Sequence, residues 1–337
     1  MNFDKYLQSF IGFYPFMWYN DKSMFGGIIM NEKKSFVTKP LGIGLLACLC
    51  CLLWGSATPA IKIGYEWFGI GAGDVASRIL FAGVRFILAG ILTAIFGSII
   101  ARKPLFPQKS SWGMVCKLGL VQTVFQYIFF YMGLAYTTGV KSAIINGSQT
   151  FIAILMACLI FRYEKLTLQK FIGCLIGFAG VIVINFDPSG LTGGFTFRGE
   201  GAILIAAIAY ALSSALVKKY SQKESPVVLS GYQFIFGGII MTICGLLMGG
   251  HLTGWCLKSI VLLIYMALIS SVAYSVWGIL LKNNPVGKVA VYSFTNPIFS
   301  VLLSFAFLGE SSSFGLELIL ALGLVCVGIY LVNRVNE

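Results

Sequence analysis

From residue 41 onward the chain alternates long apolar runs with short polar breaks. The runs cover 41–63, 77–99, 112–134, 139–161, 168–186, 200–218, 227–249, 258–281, 287–308 and 314–332. Each is close to the ~20 residues that a helix needs to cross ~30 Å of hydrocarbon. The pattern therefore predicts an all-α integral membrane protein with ten transmembrane helices. The longest connection, 187–199 (DPSGLTGGFTFRG), is rich in Pro and Gly and reads as the join between two halves. Residues 1–40 form an N-terminal tail. Its first 29 residues hold short aromatic bursts and no spanning run. They read either as reading frame upstream of Met30 or as an interfacial aromatic tail.

Polar positions inside the runs repeat. From Gly139 the chain reads GVKSAIINGSQTFIAILMACLIFRYEKLT, and from Gly287 it reads GKVAVYSFTNPIFSVLLSFAFLGESSS. Glu164 and Glu310 lie 146 residues apart, and the same offset pairs Ser142 with Lys288, Asn146 with Tyr292, Thr150 with Asn296 and Gly177 with Gly323. Nearby offsets pair Trp54 with Tyr210, Thr58 with Ser214, Lys62 with Lys218, Arg85-Phe86 with Gln233-Phe234, and Tyr127 with Tyr274. The chain is thus two five-helix repeats, 41–186 and 200–333. Because five is odd, the copies enter the membrane from opposite sides, which makes the repeat inverted. Polar residues four apart share one helix face, so both copies carry a polar face inside a membrane-length helix.

Composition agrees with lipid as the solvent: 58% of residues are hydrophobic and 11% charged. The net charge of +12 is spread between apolar runs rather than clustered, which argues against a nucleic-acid partner. With a cytoplasmic N-terminus, fourteen loop and helix-end Lys or Arg residues fall inside, and four (Arg78, Lys141, Arg198, Lys258) fall outside. That bias predicts both termini in the cytoplasm of a cell-membrane protein. The nine cysteines lie mostly in apolar runs, with no C-x-x-C spacing, and read as buried thiols. His251, the single histidine, has no metal-ligand set around it, so neither a metal nor another cofactor is expected.

Polar residues within spanning runs carry the functional signal, because burying them costs free energy unless they find partners. Arg85 reads equally as a carbonyl-bonded or outward-reaching arginine and as a substrate contact. Glu317, in the first turn of its helix, reads as structural. The amide, hydroxyl and aromatic positions pair across the repeats. Any one of them is more often an interhelical hydrogen bond than a ligand contact. Their correspondence in both halves points to a shared cavity lined by Trp54, Thr58, Gln126, Tyr127, Asn146, Gln149, Thr150, Tyr210, Ser214, Tyr274, Tyr292 and Asn296.

LLWGSATPAIKI in helix 1, RFILAG in helix 2, the helix 4 ending that leads into EKLT, and TNPIFSVLLSFAFLGE in the second copy resemble the EamA type of the drug/metabolite transporter superfamily. The resemblance covers 41–333. It implies alternating access around a central cavity and movement of a metabolite or amino acid, often outward. Two departures stand out: RYEKL replaces the glycine usual before the glutamate, and Thr150-Phe151 stands where the second copy has Asn296-Pro297. The reading is a transporter, not an enzyme, with a small-molecule substrate and the lipid bilayer as partners; oligomeric state is open. The rival is a membrane-embedded enzyme acting on a lipid-linked substrate, which needs a nucleophile–base pair or metal cluster at membrane depth.

Overall fold

The structure is a computed structural model that describes residues 36–71, 73–186, 194–308 and 316–334. Met30 and the aromatic tail, most of the predicted join (187–193) and Glu310 lie outside the described residues. Ten long apolar helices follow one another among the described residues. They are α1 (Pro40–Trp67), α2 (Val75–Ala101), α3 (Lys109–Leu134), α4 (Lys141–Ile160), α5 (Leu168–Ile184), α6 (Phe197–Tyr220), α7 (Pro226–Leu247), α8 (Leu257–Asn283), α9 (Val286–Phe307) and α10 (Leu316–Arg334). Nine have the length and hydropathy to cross a membrane outright, and α5 is a shorter apolar helix of 17 residues. The architecture is the all-α membrane fold of two inverted five-helix repeats.

Local chemistry sets the helix ends. Pro40 and Pro226 open α1 and α7, where the missing N–H is not needed. The Asp74 carboxylate accepts from the Ser77 backbone N–H at 2.9 Å and caps α2. Burial pushes that carboxyl up, but the hydrogen bonds from Ser77 outweigh it and hold Asp74 below the usual carboxylate range. Thr167 caps α5 by accepting from Lys170 N at 3.2 Å. Thr196 starts α6 earlier than the apolar run alone implies, accepting from Gly199 N at 3.2 Å.

The repeats meet through matching surfaces. α2 packs on α7, its counterpart, where a Cβ on Gly83 would strike the Gly238 carbonyl and one on Gly90 the Gly231 carbonyl. Gly83 and Gly231, like Gly90 and Gly238, are 148 residues apart, so the two contacts are one contact seen twice. α5 packs on α10 in the same way: a Cβ on Gly173 would come within 3.0 Å of the Gly328 carbonyl. Small residues allow this approach because dispersion at short range, not water exclusion, holds helices together in lipid. α1 lies against α8 and α9, and α6 lies against α3 and α4. Leu41, Leu45, Leu49 and Leu52 leave an exposed apolar stripe on α1 that suits lipid.

The largest buried core fills the half of the bundle nearest the N-terminus. It draws Leu46, Cys50 and Cys51 from α1, Leu118 from α3, Ile154 from α4, Val217 from α6, Trp277 and Leu280 from α8 and Val289 from α9. Polar contacts tie the repeats together at that end. Glu164 and Lys170 form an ion pair at 3.0 Å with both side chains fully buried, and the other Glu164 oxygen accepts from Gly287 N at 2.8 Å. Within the second repeat, Lys218 donates to the Asn284 carbonyl at 2.7 Å.

Candidate functional site

Three interruptions of regular helix shape the centre. Pro59 lies inside α1. α3 takes a π-helical course over Gly119–Phe125, and α9 winds as a 3-10 helix over Val291–Thr295 just before Pro297. Pro297 has no N–H to give to the Ser293 carbonyl, and Asn296 N bonds that carbonyl in the tighter pattern instead. α4 has no proline here and stays α-helical from Gly139 to Leu155.

At the centre, four aromatic rings repeat the symmetry of the fold. The Tyr127 and Tyr274 hydroxyls meet at 2.8 Å. Phe86 and Phe234 stack at 5.1 Å, and each lies against its own repeat's tyrosine, at 4.6 Å for Phe86–Tyr127 and 4.9 Å for Phe234–Tyr274. Residues that correspond in sequence thus touch across the pseudo-two-fold axis.

Beside these rings lies a cavity of about 170 Å³. Nine predicted residues line it: Trp54, Thr58, Gln126, Tyr127, Asn146, Gln149, Tyr210, Tyr274 and Asn296. Its wall comes from the C-terminal halves of α1 and α3, the N-terminal half of α4, the middles of α2, α6 and α8, and Ser293 and Asn296 of α9. The cavity is therefore displaced from the N-terminal core toward the opposite face. Trp54 packs edge-on against Tyr274 at 5.3 Å and Trp277 at 5.0 Å, joining the cavity to that core.

Three predicted residues are elsewhere. Thr150 is buried in the packing next to Asn146 and Gln149. Ser214 gives its hydroxyl to the Tyr210 carbonyl at 3.1 Å, the local back-bond that serines make inside helices. Tyr292 falls in the 3-10 segment of α9, which turns four residues through about a third of a circle more than a whole number of turns. Its hydroxyl faces α1, 3.2 Å from where Gly44 would carry a Cβ, and not the cavity. Gln122 and Gln126, four apart, also separate: Gln122 donates to Ser213 at 3.1 Å as an interhelical bond, while Gln126 faces the cavity.

Arg85, Tyr131, Ser270 and Ser293 join the wall, with Ala57, Ile61, Phe130 and Ile269 as apolar surface. Arg85 carried a signal in sequence, a guanidinium in mid-helix. Its Nε has no hydrogen-bond partner, and its guanidinium lies 4.6 Å from the Phe86 ring centre. The Trp54 indole N–H, Gln126 Oε1 and Asn296 Oδ1 are likewise buried without partners. Buried polar groups without partners are rare and costly in a folded protein. With the Ser293 Oγ, also buried without a partner, five such groups on one cavity's wall make it a place for a polar guest.

Paired inverted repeats around a polar cavity within the bundle define the class: a multi-pass membrane protein of the transporter type. The family model described as the EamA-like transporter family matches residues 41–186 and 197–334, and the chain belongs to that family. An uncharacterized transporter of Archaeoglobus fulgidus is 28% identical over 86% of this chain and 98% of its own. The uncharacterized transporter YvbV of Bacillus subtilis is 26% identical over 87% of this chain and 92% of its own. A WAT1-related chloroplastic protein of Arabidopsis thaliana is 25% identical over 83% of this chain, which spans 66% of that protein's length. A solved crystal structure shares the fold, with a TM-score of 0.71 at 17% identity over 87% of this chain and 98% of that one.

Proposed function

We propose that this protein carries a small polar or amphipathic metabolite, an amino acid or a solute like it, across the cell membrane by alternating access, with export as the direction. The observation that carries the reading is the convergence of partnerless polar atoms from α1, α2, α3 and α9 on one central cavity. Inverted-repeat transporters hold substrate near the midplane where the repeats meet, and that is where Tyr127 and Tyr274 touch. The N-terminal half of the bundle is closed by the large core and by the Glu164–Lys170–Gly287 contacts. We read the arrangement as one end state of the cycle, with the cavity on the non-cytoplasmic side and both termini in the cytoplasm. That the similar proteins are named transporters supports transport over chemistry on a lipid-linked substrate.

The test replaces Asn146 and Asn296 with Leu in turn. Both side chains line the cavity and the Asn296 Oδ1 has no internal partner to lose. Insertion and folding should therefore persist, while uptake or release of metabolites, screened in cells and then repeated in liposomes, should fall strongly. Normal transport by both variants would overturn the assignment.

A further inference from the structure

We infer that the cavity recognises a carboxylate, with Arg85 as the residue that binds it, so that the transported solute is a small organic acid or carries a carboxylate group. This rests on the transport reading and sharpens it. Arg85 lies ten residues into α2. At 1.5 Å per residue that is about 15 Å, half of a ~30 Å hydrocarbon layer. An arginine side chain at that depth is too short to bring its charge to either surface. It is 4% exposed, its Nε has no hydrogen-bond partner, and no carboxylate among the described residues lines the cavity it faces. The acidic residues that are described sit at helix ends or in loops: Glu66, Asp74, Glu164, Glu200, Glu224 and Glu317.

Comparison with the other repeat sharpens the point. The residue that corresponds to Arg85 is Gln233, which is fully buried and neutral; its Oε1 accepts from the Thr123 hydroxyl at 2.6 Å, and its Nε2 has no partner. The duplicated fold therefore has a neutral solution for this position that serves packing. The first repeat instead holds a charge with no counter-ion among the described residues, and the described residues give the cavity one positive charge and no negative one. An intramembrane charge without a partner is expensive and marks a functional site. A bound monoanion makes the loaded cavity neutral, whereas a phosphate monoester, near two negative charges, leaves an excess. A guanidinium matches a carboxylate with two parallel hydrogen bonds. Size agrees: a dry cavity of about 150 Å³ holds benzene, and this one is about 170 Å³. Trp54 and Tyr127 supply an aromatic wall, and Gln126 and Asn296 add amide groups to it.

The experiment uses the purified full chain in detergent and two acid–amide pairs matched in shape, benzoate with benzamide and lactate with lactamide. Binding is measured by equilibrium dialysis at fixed chloride concentration. The wild-type protein should bind each acid at least tenfold more tightly than its amide. Arg85→Gln should lower acid binding at least tenfold and leave amide binding within twofold, and Arg85→Lys should keep part of the preference. The wild-type ratio needs no variant, so the inference stays testable if R85Q does not fold. Equal binding of acid and amide by the wild type, an R85Q protein that keeps the preference, or displacement of the acids by an equal concentration of inorganic phosphate would each overturn the inference while leaving the cavity as a solute site. Binding of neither acid nor amide would overturn the cavity reading itself, and the carboxylate assignment with it.

Discussion

Lys170→Met tests how the N-terminal face of the bundle is held shut. The Lys170 ammonium is 3.0 Å from a Glu164 oxygen, and neither side chain touches solvent. The same ammonium also donates to the Lys165 carbonyl at 3.2 Å. Methionine keeps the unbranched apolar stem, one heavy atom shorter, and removes the charge. Glu164 is then left buried with the Gly287 N–H. Stranding one member of a buried ion pair costs about 3–5 kcal/mol, because the desolvation already suffered is no longer offset. At roughly 2 °C per kcal/mol, the low end for large domains, the loss lowers the apparent melting temperature by about 6–10 °C. With the exposed Cys256 and Cys326 and the part-exposed Cys48, Cys116 and Cys244 replaced by Ser in every protein compared, a thiol-reactive fluorogenic maleimide reads the transition, since Cys158 and Cys174 are buried near this site. The double variant Glu164→Gln/Lys170→Met should recover much of the loss, because glutamine is neutral and still offers Gly287 an acceptor. A K170M protein that melts within ~2 °C of wild type, or a double variant less stable than K170M, would refute the account of the pair as a mutually dependent buried unit.

Three further outcomes are expected. In a cysteine-free background, Cys at His251 should react with an impermeant reagent applied to intact cells and Cys at Gln108 should not; both native residues are exposed, so the reverse result would invert the orientation. Tyr127→Phe should lose about 1 kcal/mol by removing the partner of the Tyr274 hydroxyl, and Y127F/Y274F should melt no lower than Y127F alone, whereas simple additivity would show that the two hydroxyls do not depend on each other. Gly90→Ala should destabilise by about 1–3 kcal/mol, since its methyl would strike the Gly231 carbonyl on α7; a neutral result, again by melting, would show that α2 and α7 part easily.

Much of the fold was legible because membrane helices are encoded locally. Length and hydropathy set the ten spans without reference to any neighbour, and the duplication showed in offsets such as Glu164 to Glu310 and Tyr127 to Tyr274. Period alone also put Asn146 and Gln149 on one side of α4. Thr150, four residues from Asn146 in the same regular helix, is packed away from the cavity, and two other four-residue pairs part where the helix departs from α geometry. Tyr292 and Asn296 separate because α9 tightens before Pro297, and Gln122 separates from Gln126 where α3 winds as a π-helix.

By itself, the sequence determined the solvent, the number of spanning helices, the repeat and its inversion, because each depends on apolar length or on counting. Only the tertiary structure decided which polar residues found partners, and that is a property of pairs of distant positions. Gln233 accepts from Thr123 within the packing and is neutral even where its Nε2 is unpaired, while Arg85, its counterpart 148 residues earlier, brings a charge to the cavity wall with its Nε unpaired. Two residues at equivalent positions of one duplicated unit thus differ in what surrounds them, and the proposed carboxylate site rests on the charge that only the arginine carries.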